Sequence, residues 1–158
     1  MRAEIFMIHE NPEWLPPFES AFADRNACFI DWNMADHDLD LGQTPPEGVF
    51  YNRMSASSFT RGHDRVPELT SITLAWLERH ERRVINGSRA LQLEVNKAAQ
   101  YAALEAAGIT VPRTLVGLGF PAITRLLDRF GEGPVILKPN RGGKGSGVVG
   151  FETAAAAA

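Results

Sequence analysis

The chain has 158 residues with 44% hydrophobic, 22% charged and 9% aromatic content. That is one average domain or two small ones, with enough apolar side chain for a core, so global disorder is excluded. Its 16 basic and 19 acidic residues leave a net charge of −3, against a general nucleic-acid coat. A lone cysteine, Cys28, excludes an intrachain disulfide or a cysteine zinc site and fits a reducing compartment. No apolar run approaches the roughly 18 residues of a membrane span, and the N-terminus lacks the order of a signal peptide. The expectation is a soluble, cytoplasmic protein with no membrane or nucleic-acid partner.

In chain order, Ala3–Ile8 is a nearly continuous apolar run, which suits a strand covered on both faces. Pro16-Pro17 opens a helix whose stripe is Phe18, Ala21 and Phe22. Residues 27–32 form the next strand, and Cys28 within it reads as a core residue. Residues 33–48 are polar loop, and Val49–Asn52 is a third strand. Pro67 starts a second helix with Leu69, Ile72, Trp76 and Leu77 on one side. Arg83–Ile85 is a fourth strand, ended by the Asn86-Gly87 turn. Strands alternating with helices predict a parallel, doubly wound sheet.

After Ser88 the pattern changes. One helix is expected from Ser88 to Ala107, stopped by Gly108. Residues 109–114 are extended because Pro112 disfavours helix before it. Pro121 opens a helix with Ile123, Leu126, Leu127 and Phe130 at helical spacing. Residues 134–138 and 148–151 are two strands joined by a Gly-rich stretch. A boundary near 86–88 divides the chain into residues 1–86 and 87–158. The closing run of five alanines reads either as a helix start or as a chain that continues with unidentified residues written as alanine. A fragment is the expectation.

The chemistry concentrates in Lys138-Pro-Asn-Arg-Gly-Gly-Lys-Gly-Ser-Gly147. Its glycines let backbone N–H groups turn toward an anion. Lys138, Arg141 and Lys144 supply positive charge, and Ser146 a hydroxyl, the set a phosphate needs. A flexible hairpin with solvated charges is the competing reading. A Walker A loop is excluded, because Lys138 stands where its first glycine belongs and Gly145 follows Lys144. Gly145, Gly147 and Gly150 match a dinucleotide fingerprint, but that motif must open a helix and here it enters a strand-like run. A protein-kinase loop has its paired lysine after the glycines, not before them. What remains is a strand with a lysine, a basic Gly-rich loop and a returning strand. In the strand, Lys138 shares a face with Ile136, opposite Val135 and Leu137. A lysine among such apolar neighbours calls for an anionic partner.

Residues 134–148 resemble the first lysine strand and phosphate-covering loop of ATP-grasp ligases. Within these they are most similar to RimK-type glutamate ligases and the related lysine-biosynthesis ligases. Val84-Ile-Asn-Gly-Ser88, Lys97 and Leu104–Thr114 resemble the family's asparagine turn, nucleotide-contacting lysine helix and entry into the grasp domain. The likeness covers residues 84–151. The N-terminal half shares only its strand–helix order and Tyr51-Asn-Arg-Met-Ser55.

The resemblance implies an α/β chain with a pre-ATP-grasp parallel sheet domain followed by the first α+β subdomain of an ATP-grasp domain, truncated. It implies ATP and Mg²⁺, with the Mg²⁺ ligands in a C-terminal part beyond this chain and no metal ligands within it. ATP would phosphorylate a carboxylate, and an amine would displace the phosphate from the acyl phosphate. Small-molecule or peptide carboxylates and amines are the implied partners, and homo-oligomerisation stays open. Lys97, Lys138, Arg141, Gly142, Gly143, Lys144, Gly145, Ser146 and Gly147 would hold and cover the nucleotide phosphates. Lys144 and Arg53 are the catalytic candidates, with Arg53 and Ser55 near substrate at a strand end. The chain alone is expected to be inactive. A non-catalytic nucleotide- or phosphate-binding module is the alternative, and a dinucleotide-dependent oxidoreductase the third reading. Asp36-His37-Asp38 reads as a solvated turn before a metal site, His9-Glu10 shows no partner, and His63 and His80 read as surface residues.

Overall fold

The structure, a computed structural model, describes residues 4–157. The chain divides between Val95 and Asn96 into two compact units. The boundary expected near 86–88 falls just ahead of a helix that packs within the first unit.

The first unit is built on four parallel strands: β1 (Ile5–His9), β2 (Ile30–Asn33), β3 (Val49–Asn52) and β4 (Arg83–Ile85), in the order β2-β1-β3-β4. Ala3, where the first strand was expected to begin, lies outside the described residues. Register places Phe6 beside Ile30 and Phe50, and Phe50 beside Val84. β1 is apolar throughout because a central parallel strand is covered on both faces; Phe6, Met7 and Ile8 are all buried.

Helix α1 (Pro16–Ala23) follows β1, and α2 (Val66–Arg79) precedes β4, each entered through proline in its first turn. On α2, Thr70, Thr73, Leu74 and Leu77 recur at helical spacing and are fully buried. The two threonines satisfy their hydroxyls on the carbonyls of Val66 and Leu69. Phe6 stacks on Phe50 at 4.6 Å between centroids, and Trp32 leans on both. Fully burying an aromatic or leucine side chain contributes about 1.5–3 kcal/mol, so this cluster dominates the unit's stability. Cys28 is exposed ahead of β2, because that strand starts only at Ile30. It is not the core residue expected.

The single helix expected over 88–107 is two: α3 (Ser88–Glu94) in the first unit and α4 (Lys97–Ala106) in the second. The break is at Asn96, whose extended backbone frees Oδ1 to accept the Ala99 N–H at 2.9 Å. Asparagine is a poor helix-interior residue and a strong N-cap, so this end costs little.

In the second unit, α5 (Phe120–Phe130) packs on two antiparallel strands, β5 (Val135–Leu137) and β6 (Val149–Phe151). Leu127 and Val135 form its small core with Ala154, which belongs to a short 3-10 turn over Ala154–Ala157. Ala158, the last of the alanine run, is outside the described residues. The residues after Gly147 are strand, as expected, so the helix a dinucleotide fingerprint requires is absent there. No helix among the described residues is long and apolar enough to cross a membrane.

Candidate functional site

Within the second unit, the Gly-rich loop is anchored at its start to α4. Lys138 follows β5 directly. Ile136 beside it is 68% exposed, so this face of the hairpin looks outward and Lys138 is exposed with it. The burial argument for an anionic partner therefore does not apply. The ammonium instead donates to the Tyr101 hydroxyl and lies 4.6 Å from that ring's centroid, a cation–π contact. Lys138 forms no ion pair among the described residues, so its charge is uncompensated.

Asn140 ties the loop to α4. Its Oδ1 accepts the Ala98 N–H at 2.8 Å, its Nδ2 donates to Asn96 Oδ1 at 3.0 Å, and its carbonyl accepts the Lys97 N–H at 3.2 Å. The Lys97 ammonium donates to the Gly142 carbonyl at 2.8 Å and to the Asn140 carbonyl at 3.4 Å. An ammonium has three donors, so Lys97 can anchor the loop and still offer one N–H to an anion.

Beyond this latch the backbone turns through left-handed geometry. φ is +132° at Gly142, +54° at Lys144, +73° at Gly145 and +70° at Gly147. A Cβ at Gly147 would also stand 2.7 Å from Pro139 Cγ, so only glycine fits there. Two short bonds, Ser146 N–H to Gly143 O and Val148 N–H to Gly145 O, hold the turn at 3.1 Å each. Lys97, Lys138, Arg141, Gly142, Gly143, Lys144, Gly145, Ser146 and Gly147 are thus gathered on one α4–hairpin framework. Tyr101, Asn96 and Asn140 complete it and were not singled out from the sequence. Asn96 had a visible signal, a cap residue ahead of an Ala-rich run. We expect Asn96→Ala to cost about 1 kcal/mol of stability and to raise amide exchange at 140–142, measured by urea unfolding and hydrogen exchange.

Arg53 and Ser55 lie in the first unit, just past β3. They line a cleft of about 370 Å³ at the carboxyl ends of β3 and β4, with Trp14, Asn52, Asn86 and Glu94. Parallel α/β sheets place ligands at this edge. The Arg53 guanidinium lies 5.2 Å from the Phe18 ring centroid and 5.9 Å from that of Trp14.

The same edge holds a charge cluster that the sequence did not disclose. Glu10 is fully buried and takes a two-pronged hydrogen bond from Arg61, plus His63 Nδ1 at 2.8 Å. Burial works to raise the Glu10 carboxyl, but the hydrogen bonds and charges of Arg61 and His63 outweigh it and hold the group below its usual value. His63 is therefore no plain surface residue, and Glu10 has partners after all. His9, also buried, meets Asp31 at 2.6 Å across the β1–β2 pair. No group of three His, Cys, Asp or Glu among the described residues is arranged to hold a metal ion, Asp36-His37-Asp38 included. His37 packs against Trp32 instead, and burial, opposed by Asp38, lowers its pKa.

No family model matches the sequence, and no curated protein does. Solved structures do match by fold. A RimK domain ATP-grasp protein from Sphaerobacter thermophilus DSM 20745 superposes with a TM-score of 0.69 at 22% identity, over 98% of this chain and 56% of that one. The ATP-grasp ligase PsnB complexed with minimal precursor gives 0.60 at 21% identity, over 96% and 57%. PsnB complexed with a phosphomimetic variant of minimal precursor, Mg and ADP gives 0.59 at 20%, over 96% and 59%. The chain has the fold of part of an ATP-grasp protein and spans a little over half the length of these structures.

Proposed function

We propose that this chain is the N-terminal part of an ATP-dependent carboxylate–amine ligase, comprising the pre-ATP-grasp domain and the first grasp subdomain. The observation that carries this reading is the Lys138 strand end, whose uncompensated ammonium adjoins a Gly-rich basic loop latched to the α4 N-terminus. The ATP-grasp fold of the matched structures supports it, and so does the ADP and Mg in one PsnB complex.

In this reading Lys138 and the third donor of Lys97 neutralise nucleotide phosphates, and the backbone N–H groups of 142–147 close over them. A substrate carboxylate oxygen attacks the terminal phosphorus of ATP, the bond to ADP breaks, and an acyl phosphate forms. An amine then attacks the acyl carbon, phosphate leaves with the C–O bonding pair, and the nitrogen gives up its proton. The residues of this chain bind, orient and neutralise; none of them forms a covalent bond to substrate. Lys144 rides on the loop and reaches the transferring phosphoryl group when the loop closes. Among the described residues no cluster of His, Cys, Asp or Glu is arranged to hold Mg²⁺, so the residues present do not fit it and no step by this chain runs through it. A reducing, cytoplasmic setting accords with a lone exposed cysteine.

Calorimetry of ATP, ADP and adenosine against the chain tests the reading. ATP and ADP are expected to bind and adenosine to bind at least tenfold more weakly, because phosphate contacts carry the affinity. Equal binding of adenosine and ATP would remove the phosphate site. The chain alone should release no phosphate from ATP. Phosphate release only when it is joined to a second grasp subdomain separates a ligase from a non-catalytic module.

A further inference from the structure

The cleft beside Arg53 is not used by the nucleotide reading, yet its charges are arranged as a site. Two groups of opposite charges in the first unit meet directly: Glu10 with Arg61 and His63, and Arg82 with Glu47 at 2.8 Å. In the cleft they are kept apart. Arg53 rests against Phe18, its Nε is buried without a hydrogen-bond partner, and it makes no ion pair among the described residues. Glu94 lines the same cleft and also makes no ion pair; one oxygen accepts the Ala56 N–H at 3.3 Å. A cation and an anion therefore face one small space without meeting.

The wall around them is preset. Asn52 and Asn86 exchange side-chain-to-carbonyl bonds of 2.8 and 3.1 Å, and Asn52 Oδ1 accepts the Met54 N–H at 2.9 Å. A rigid wall lowers the cost of ordering on binding. The volume of about 370 Å³ is at the small end for ligand pockets and suits a compact molecule. A ligand with a single charge would leave either Arg53 or Glu94 uncompensated. A ligand with a carboxylate and an ammonium on one short tether satisfies both.

We propose that this cleft binds an amino-acid-type zwitterion, its carboxylate on Arg53 and its ammonium on Glu94. As a binding site it stands on the cleft alone; as a substrate assignment it rests on the ligase reading. The test is an NMR titration of the whole chain, without nucleotide, using L-alanine, L-glutamate and L-lysine with the N-acetyl and α-amide form of each. At least one free amino acid is expected to shift the amides of 52–55 and 90–94, with both capped forms binding at least tenfold more weakly. Arg53→Gln should weaken the free amino acid at least tenfold. Glu94→Gln, at an exposed position that leaves folding intact, should weaken it similarly while leaving the N-acetyl form unchanged. Unshifted amides with all three free amino acids would overturn the proposal, as would equal binding of free and N-acetyl forms. ATP-induced shifts at 142–147 are a separate readout. Their loss with amino-acid shifts intact removes the ligase reading and spares the cleft, and the reverse removes the cleft alone.

Discussion

Lys138→Ala is expected to weaken ATP binding more than tenfold, a loss of at least about 1.4 kcal/mol. The side chain is aimed from the end of a hydrogen-bonded strand, and its ammonium rests on Tyr101 through a hydrogen bond and a cation–π contact. Neither contact neutralises it, so the full charge remains for a phosphate. Once the loop covers that pair, removing the lysine leaves a desolvated anion behind, which costs more than an exposed pair is worth. Tyr101→Phe keeps the ring and removes only the hydroxyl, so it should weaken binding less than Lys138→Ala. Lys144 is exposed in mid-loop, and in the proposed reading it reaches the nucleotide only on closure. Joined to the second grasp subdomain, Lys144→Ala should slow phosphate release while changing ATP affinity little. Calorimetry with phosphate-release rates distinguishes the two lysines. Wild-type affinity in Lys138→Ala would make that lysine structural and the phosphate site wrong.

Glu10→Ala is expected to destabilise the first unit by about 3–5 kcal/mol, the range for breaking a buried ion pair. The Glu10 carboxylate is fully buried and joins the end of β1 to the 3-10 turn over Ala56–Arg61. Arg61 also lies 4.9 Å from the Trp14 ring centroid, so losing Glu10 loosens a residue of the cleft wall. The pH dependence follows from the sign of the shift. The folded carboxyl is held below its ordinary value of 4.5. Below that value the unfolded chain is the first to take up a proton, so stability falls with pH. The contribution of Glu10 is complete above pH 4.5 and is lost as pH drops through the lower folded value. Urea unfolding of wild type and Glu10→Gln should therefore show a gap that narrows as the solution is acidified below that point. A loss in Glu10→Ala under about 1 kcal/mol, the size of an exposed pair, would contradict this role.

The order of elements was legible where local chemistry decides it. β3 and β4 match their expected bounds because short apolar runs between turn residues have one reading. Helix α5 follows from Pro121 and the Ile123, Leu126, Leu127, Phe130 stripe. The lysine strand, loop and returning strand were legible for the same reason, since β5 and β6 are neighbours in sequence. The α3–α4 break was missed because helix propensity runs on through 88–107, while the cap of Asn96 is completed by Asn140 of a distant strand end. Glu10 meets Arg61 and His63 only once β1 and the turn after β3 converge, a tertiary fact with no local signature. Tyr101 beside Lys138 is likewise a product of packing between α4 and the hairpin. Charge pairing of this kind is written in the fold's closure and not in spacing along the chain.

The proposed receipt of nucleotide phosphates by the latched Gly-rich loop is open to backbone NMR of the chain titrated with ATP. Large, saturable shifts are expected at the amides of 142–147 and at Lys97 and Lys138 with ATP, much smaller shifts with adenosine, and their collapse in Lys138→Ala. ATP that leaves those amides unmoved, or moves them no more than adenosine does, would contradict it.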